Sequence, residues 1–389
     1  MSSPNPEMLK WAREQAGLSL HEAAKKLSLK SARFSPEEVL MMFESGEKAP
    51  TQNQLNNFAK TYHRPLISFY LEKPPIVANK GDDFRTLYNA PDPLENAAVN
   101  TLVRDVHVRQ NIVKEALIDS DSAVSLPFIG SLKSNTTVNE AASFVVDTFK
   151  IDISSFRKQK DAHSAFNFLR NAIEDSGVFV LLIGNLGSHH SNISVNYFRG
   201  FALSDPIAPF IIINDNDSKY AWCFTLLHEL VHLLIGNTGI SNASVDNFIE
   251  KYCNDVASQV LISDGEFESI SNIHNLPMDA LVESISELSI NFNVSSSMIA
   301  YRLFTQGKID KKNWEYISDV FLKRWLASKE EKNSSGKSGG TYYPTKRHKV
   351  GKALSNLVKR SIIDGVLTET KASKVLGVSS GNVIELVGL

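Results

Sequence analysis

Apolar positions along this chain keep two different periods. From residue 5 to 71 they recur every three or four residues in short runs broken by cap and turn signals, which predicts a bundle of short helices. Pro6 opens the first run, Trp11 and Ala12 carry it, and Gly17 marks its end. Ser19 with Glu22 is a capping box for a second helix striped by Ala23, Ala24 and Leu27. Ser35 and Pro36 start a third, with Val39, Leu40, Met42 and Phe43 on its buried face and Gly46 at its end. Pro50-Thr51 open a fourth through Leu55, Phe58 and Ala59, and Pro74-Pro75 mark a boundary. Residues 94–175 again read as helical. At Gly177 the pattern changes to continuous apolar runs, Val178–Ile183, Phe198–Leu203 and Pro209–Asn214, separated by Gly, Asn and Asp turns; these predict three buried strands. Helices return near Lys219. Ser334–Gly340 has the composition of a flexible linker, and Val350–Leu389 reads as a small helical module.

The fold class expected is therefore α+β, mainly helical, with a small sheet. Residues 5–75 form one helical domain. Residues 94–320 form a second, with a helical part (94–175), the sheet and the helices after it (177–265) and a further helical part (275–320). A linker (334–349) and a C-terminal helical module (350–389) follow. A length of 389 residues is too great for one ordinary core, and 42% apolar with 22% charged residues is the balance of a globular protein rather than a fibre or a disordered chain. No apolar stretch approaches a membrane span and no secretory pattern opens the chain. With only Cys223 and Cys253 there is no disulfide scaffold, so a cytoplasmic protein without a membrane partner is expected.

Net charge is -2, but Lys323–Lys374 holds 13 Lys/Arg against 4 Asp/Glu, a local +9 that leaves -11 on the remainder. A basic end on an acidic body suits a nucleic-acid contact or an intramolecular one, and equally a solvated helical face beside a linker.

The chemistry is concentrated in His228-Glu229-Leu230-Val231-His232. Imidazoles at i and i+4 share one helix face, so both reach a single metal ion, and Glu229 lies where it can act as general base on a metal-activated water. Phe224, Leu226-Leu227, Leu230-Val231 and Leu233–Ile235 make the helix apolar all round, and Gly236 ends it. Three polar groups on a buried helix need partners, and zinc supplies them. Glu250 lies on the next predicted helix, with Asp246, Glu266 and Cys253 as competing third ligands; the neighbours Val256 and Val260 make Cys253, like Cys223, a core residue. Asn254, one turn beyond Glu250, is placed to hold an imidazole by its second nitrogen.

Two resemblances follow. Arg13…Gly17-Leu18-Ser19…Ala23-Ala24…Leu27 and Phe43–Thr51 resemble the Xre/Cro-like helix-turn-helix family. The connector Ser28–Phe34 is longer than that pattern, and the helix that would enter the major groove begins Pro36-Glu37-Glu38. With 10 Lys/Arg against 8 Asp/Glu in residues 1–75, DNA binding and protein docking both stay open. The block Gly200–Leu203…Ala208–Asn214…Phe224–Leu234, with Glu250…Cys253–Ala257, resembles the ImmA/IrrE zinc metallo-endopeptidases. Arg64-Pro65, Asp83-Phe84-Arg85 and Phe292…Arg302-Leu303 extend the likeness to about residues 8–310. It implies a minimal gluzincin-like fold, Zn2+ held by His228, His232 and Glu250, Glu229 as base, and a sheet edge that holds an extended peptide. We place that edge at Phe210–Asn214. The likeness also implies a repressor or antitoxin-like protein as substrate. The alternative is a DNA-binding regulator or toxin–antitoxin component whose zinc is structural or sensory, with DNA held by residues 5–75 or by the basic C-terminal segment. Trp222 stands where the family usually has Arg, and Leu261-Ile262-Ser263 replaces its usual Met-Pro or Leu-Pro. His189-His190, Tyr197 and Tyr252 are candidates for oxyanion stabilisation.

Overall fold

The computed structural model describes residues 3–75, 93–133, 135–187, 191–236, 243–334 and 341–389. They form two compact units: one from residues of 1–80, 86–106 and 185–198, the other from 107–184 and 199–389.

The first unit opens with α1 (Pro6–Gln15), α2 (Leu20–Lys26), α3 (Pro36–Ser45) and α4 (Gln52–Thr61), followed by a 3-10 turn (Leu66–Tyr70). Ser19, Ser35 and Thr51 each accept from the backbone three residues on, while Glu22, Glu38 and Gln54 bond back to them. These capping boxes satisfy donors that a short helix otherwise leaves bare. Leu9, Leu40, Phe43, Phe58 and Phe69 fill the core. Arg13 fastens α1 to α3 by donating from Nε and Nη2 to the two Glu44 oxygens at 2.7 and 2.9 Å.

The chain then runs through α5 (Pro93–Asp119), which begins in the first unit and ends in the second. The second unit continues with α6 (Val138–Thr148), α7 (Ile153–Arg157), α8 (Ala162–Glu174), β1 (Phe179–Leu182), β2 (Gly200–Leu203), β3 (Phe210–Ile213), α9 (Lys219–Ile235) and α10 (Ala243–Leu261). After these come α11 (Asp264–Ile270), α12 (Met278–Phe292), α13 (Ser296–Thr305), α14 (Lys311–Ser334), α15 (Tyr342–Val350), α16 (Lys352–Ile363), α17 (Glu369–Leu376) and α18 (Val383–Val387). The protein is thus mainly helical with one small sheet, as the apolar periods predict.

The sheet order is β1-β3-β2, with β1 parallel and β2 antiparallel to β3. β3 is the central strand, which corrects the placement of the peptide-holding edge at Phe210–Asn214. All three strands are buried along their length, so burial pattern alone could not tell the middle from the edges. α9 packs between this sheet and α8 and α10, in a continuous core that includes Phe166, Ile211, Leu226, Leu230 and Val256. A second correction concerns the C-terminal linker. Residues 335–340 lie outside the described residues, but 342–350 form α15 rather than loop. The stretch Tyr342–Val350 has no apolar stripe of its own. It is held by side-chain bonds: Arg347 donates to the Leu386 and Glu385 carbonyls, and Lys349 pairs with Asp215 at 2.5 Å. No helix among the described residues is long and apolar enough to cross a membrane.

Candidate metal centre

α9 is buried almost from end to end, and its polar members Thr225, His228, Glu229 and His232 are each no more than 2% exposed. Their spacing of three, four and seven residues puts them on one stripe of the helix. α10 crosses α9 and brings Glu250 to that stripe. The two imidazole Nε2 atoms lie 3.0 Å apart, and the two carboxylate oxygens of Glu250 lie 3.3 Å from His228 Nε2 and 3.1 Å from His232 Nε2. His228, His232 and Glu250 form a group able to hold a metal ion. Donor atoms around a tetrahedral zinc, at bonds of ~2.0–2.1 Å, sit roughly 3.3 Å from one another. The three groups fit that ion. Their chemistry fits as well, since neutral imidazole and carboxylate are borderline donors of the kind zinc accepts.

Glu229 follows the first imidazole and faces β2. A Cβ built on Gly200 would meet Thr225 Cγ2 at 2.6 Å and Glu229 Oε1 at 2.9 Å, so only glycine lets the strand approach the helix this closely. Neither Gly200 nor Thr225 stood out as a site residue in the sequence; the available signal was a glycine inside an apolar strand pattern. β2 is an edge strand, and Gln110 of α5 steadies its end by donating to the Leu203 and Ala208 carbonyls at 3.0 and 2.8 Å.

The other candidates are dispersed. Glu266 caps α11 through Ser263 and pairs with Arg157 at 2.9 Å. Cys253 is fully buried in the apolar core, as is Cys223, whose thiol burial pushes up to about 12. Asn254 is half-buried and, among the described residues, makes no hydrogen bond to either imidazole. Tyr252 lies about 200° around α10 from Glu250, toward α6, where burial raises its hydroxyl and the Glu140 charge adds to the effect. It is therefore turned away from the donor set. Tyr197 belongs to the first unit, whereas His189-His190 and the side chain of Asp246 lie outside the described residues.

Trp222 has a local reason. Its ring meets Phe166 edge-on with centroids 5.2 Å apart and lies 6.4 Å from the His348 ring of α15. Aromatic packing against the C-terminal helices occupies the position.

A comparison with curated proteins found no match. Residues 188–304, the stretch that holds all three donors and Glu229, match the family model of the IrrE N-terminal-like domain, Peptidase M78, which supports the ImmA/IrrE resemblance and a peptidase.

Proposed function

We propose that the protein is a zinc-dependent endopeptidase in which His228, His232 and Glu250 hold the ion. The observation that carries this reading is the convergence of three donor groups on α9 and α10, with nearest donor atoms 3.0 to 3.3 Å apart. A zinc ion there supplies Lewis acidity for the attack of water on a peptide carbonyl. Glu229 takes the proton from the attacking water and delivers it to the leaving amine, a task for which a carboxylate confined beside the donors is placed. β2, at the sheet edge and against Glu229, is the strand on which an extended substrate pairs. Asn254, one turn beyond Glu250 on α10, would orient an imidazole through its second ring nitrogen. The resemblance points to a regulatory protein, repressor or antitoxin-like, as substrate.

The test compares the wild-type protein with Glu229→Gln. Both should carry one equivalent of zinc by elemental analysis, and a protein fragment found by proteomics of wild-type cells should be missing with the variant. Absence of stoichiometric metal, or identical fragments with Glu229→Gln, would refute the reading. In that second case a sensory or structural zinc becomes the better account.

A further inference from the structure

The first unit gathers positive side chains that play no part in peptide hydrolysis. α4 ends at Thr61, and His63 then takes the left-handed conformation at φ 50°. The Arg64 N–H bonds back to the Ala59 carbonyl at 3.0 Å, and Pro65 prevents a further helical turn. This turn sets the Arg64 guanidinium over the Trp11 ring of α1, with Cζ 4.3 Å from the ring centroid. Arg64 Nε and Nη2 are buried and have no hydrogen-bond partner among the described residues. These two nitrogens share one edge of the guanidinium, the edge that grips two oxygens of an oxyanion at once. The same unit shows that grip on a carboxylate, where Arg13 holds both oxygens of Glu44 through Nε and Nη2.

Further cations act on this group, and no acid offsets them. Arg104 of α5 belongs to the same unit, is half-buried, and makes one hydrogen bond, to the Thr101 hydroxyl at 2.9 Å. Burial pushes the Arg64 guanidinium from 12.5 down to about 10, and the Arg104 charge adds to the effect. Partial burial, Arg104 and Lys26 push the His63 imidazole down in the same way. Among the described residues no carboxylate acts on Arg64, Arg104 or His63 in the opposite sense. Glu44 is held by Arg13, and Asp105 leaves α5 about 100° around the axis from Arg104. Like charges brought together beside guanidinium N–H groups without acceptors destabilise the fold, and a bound anion offsets that cost. The charges also select the anion. A carboxylate neutralises one guanidinium and leaves the other, whereas phosphate carries close to two charges at neutral pH and presents oxygens in several directions, so two arginines can share it. His63 and Lys26 are exposed, which leaves the group open to a small ion on their side.

We propose that Arg64 and Arg104 form a binding site for a phosphate group, free or carried on a small molecule, with the Nε–Nη2 edge of Arg64 as its main grip.

The test is isothermal titration calorimetry of the full-length protein with sodium phosphate, AMP and sodium acetate at neutral pH and matched ionic strength. One phosphate should bind per chain with a Kd below about 1 mM, and acetate should bind at least about tenfold more weakly. Tighter binding of AMP than of phosphate assigns a carried phosphate, and the reverse assigns a free one. R64K keeps the charge but loses the two-pronged edge, and should weaken phosphate binding about tenfold or more. R104Q should weaken it to a similar degree, and it decides the matter if circular dichroism shows that R64K does not fold. K30Q/R33Q removes two exposed positive charges from the same unit and should leave the Kd unchanged. Four outcomes would overturn the proposal: no saturable binding of phosphate up to about 10 mM, acetate binding as tight as phosphate, a Kd unchanged in the folded arginine variants, or an equal loss in K30Q/R33Q.

Discussion

Glu174→Ala tests how the C-terminal helices are held to the peptidase body. The Glu174 and Arg170 side chains are 1% and 4% exposed and pair at 3.2 Å. Burial pushes the Glu174 carboxyl up in spite of the arginine charge, and burial pushes the Arg170 guanidinium down, so each ion is sustained mainly by the other. Both also grip backbone. Arg170 donates to the Val180 carbonyl on β1 and to the His348 carbonyl on α15, and Glu174 accepts from the Lys352 and Ala353 N–H groups at 3.0 and 3.3 Å. Removing one partner of such a pair leaves an uncompensated buried charge and costs about 3–5 kcal/mol. The two N–H groups can recover water if α16 lifts, so we add nothing for them. Against a typical total of about 5–15 kcal/mol, the loss should be plain in urea unfolding followed by tryptophan fluorescence. Limited proteolysis should then cut within 341–353. Arg170→Met combined with Glu174→Leu removes both charges and should restore most of the stability. A loss under about 1 kcal/mol in Glu174→Ala, or a double variant as unstable as the single, would refute this account.

Other perturbations follow the same reasoning. Gly200→Ala should keep its zinc but lose about a hundredfold in cleavage rate, because the new methyl displaces Glu229, and adding Thr225→Ser should recover part of it; wild-type rates in Gly200→Ala would sink this explanation. Stripping metal with a chelator should lower Tm by about 5 °C relative to protein holding zinc at a hundred times its Kd, a linkage of roughly 2.7 kcal/mol, and His232→Ala should abolish the difference. Burial pushes the His348 imidazole from 6.5 down to about 4, so the unfolded chain binds more protons than the folded one between those values. Its contribution to stability is therefore intact above pH ~6.5 and lost as the pH falls toward 4. Discounted for the exposed part of the ring, it should amount to on the order of 1–2 kcal/mol, measured as urea midpoints at neutral and acid pH. His348→Gln should lack this part of the pH dependence, and an unchanged profile would exclude it.

What could be read in the chain was whatever depends on neighbours in sequence. The capping boxes at Ser19, Ser35 and Thr51 are local hydrogen bonds, so cap residues and spacing sufficed to place α2, α3 and α4. The three strands appeared as apolar runs, and the i, i+4 spacing put His228 and His232 on one face of α9. Strand order could not be read, because every strand is buried on both faces. α15 was missed for a related reason: its stability comes from Asp215, Leu386 and other partners far along the chain, not from a stripe of its own.

The same division runs through the candidate site. A helical repeat of 3.6 residues aligned two imidazoles and set Glu229 beside them before any tertiary contact existed. That Glu250 rather than Glu266 or Cys253 meets them depended on how α10 crosses α9. The fit of Gly200 against Glu229 likewise depended on which strand ended at the sheet edge. Periodicity acts within one element, whereas the convergence of donors from separate elements is set by the packing of a whole core.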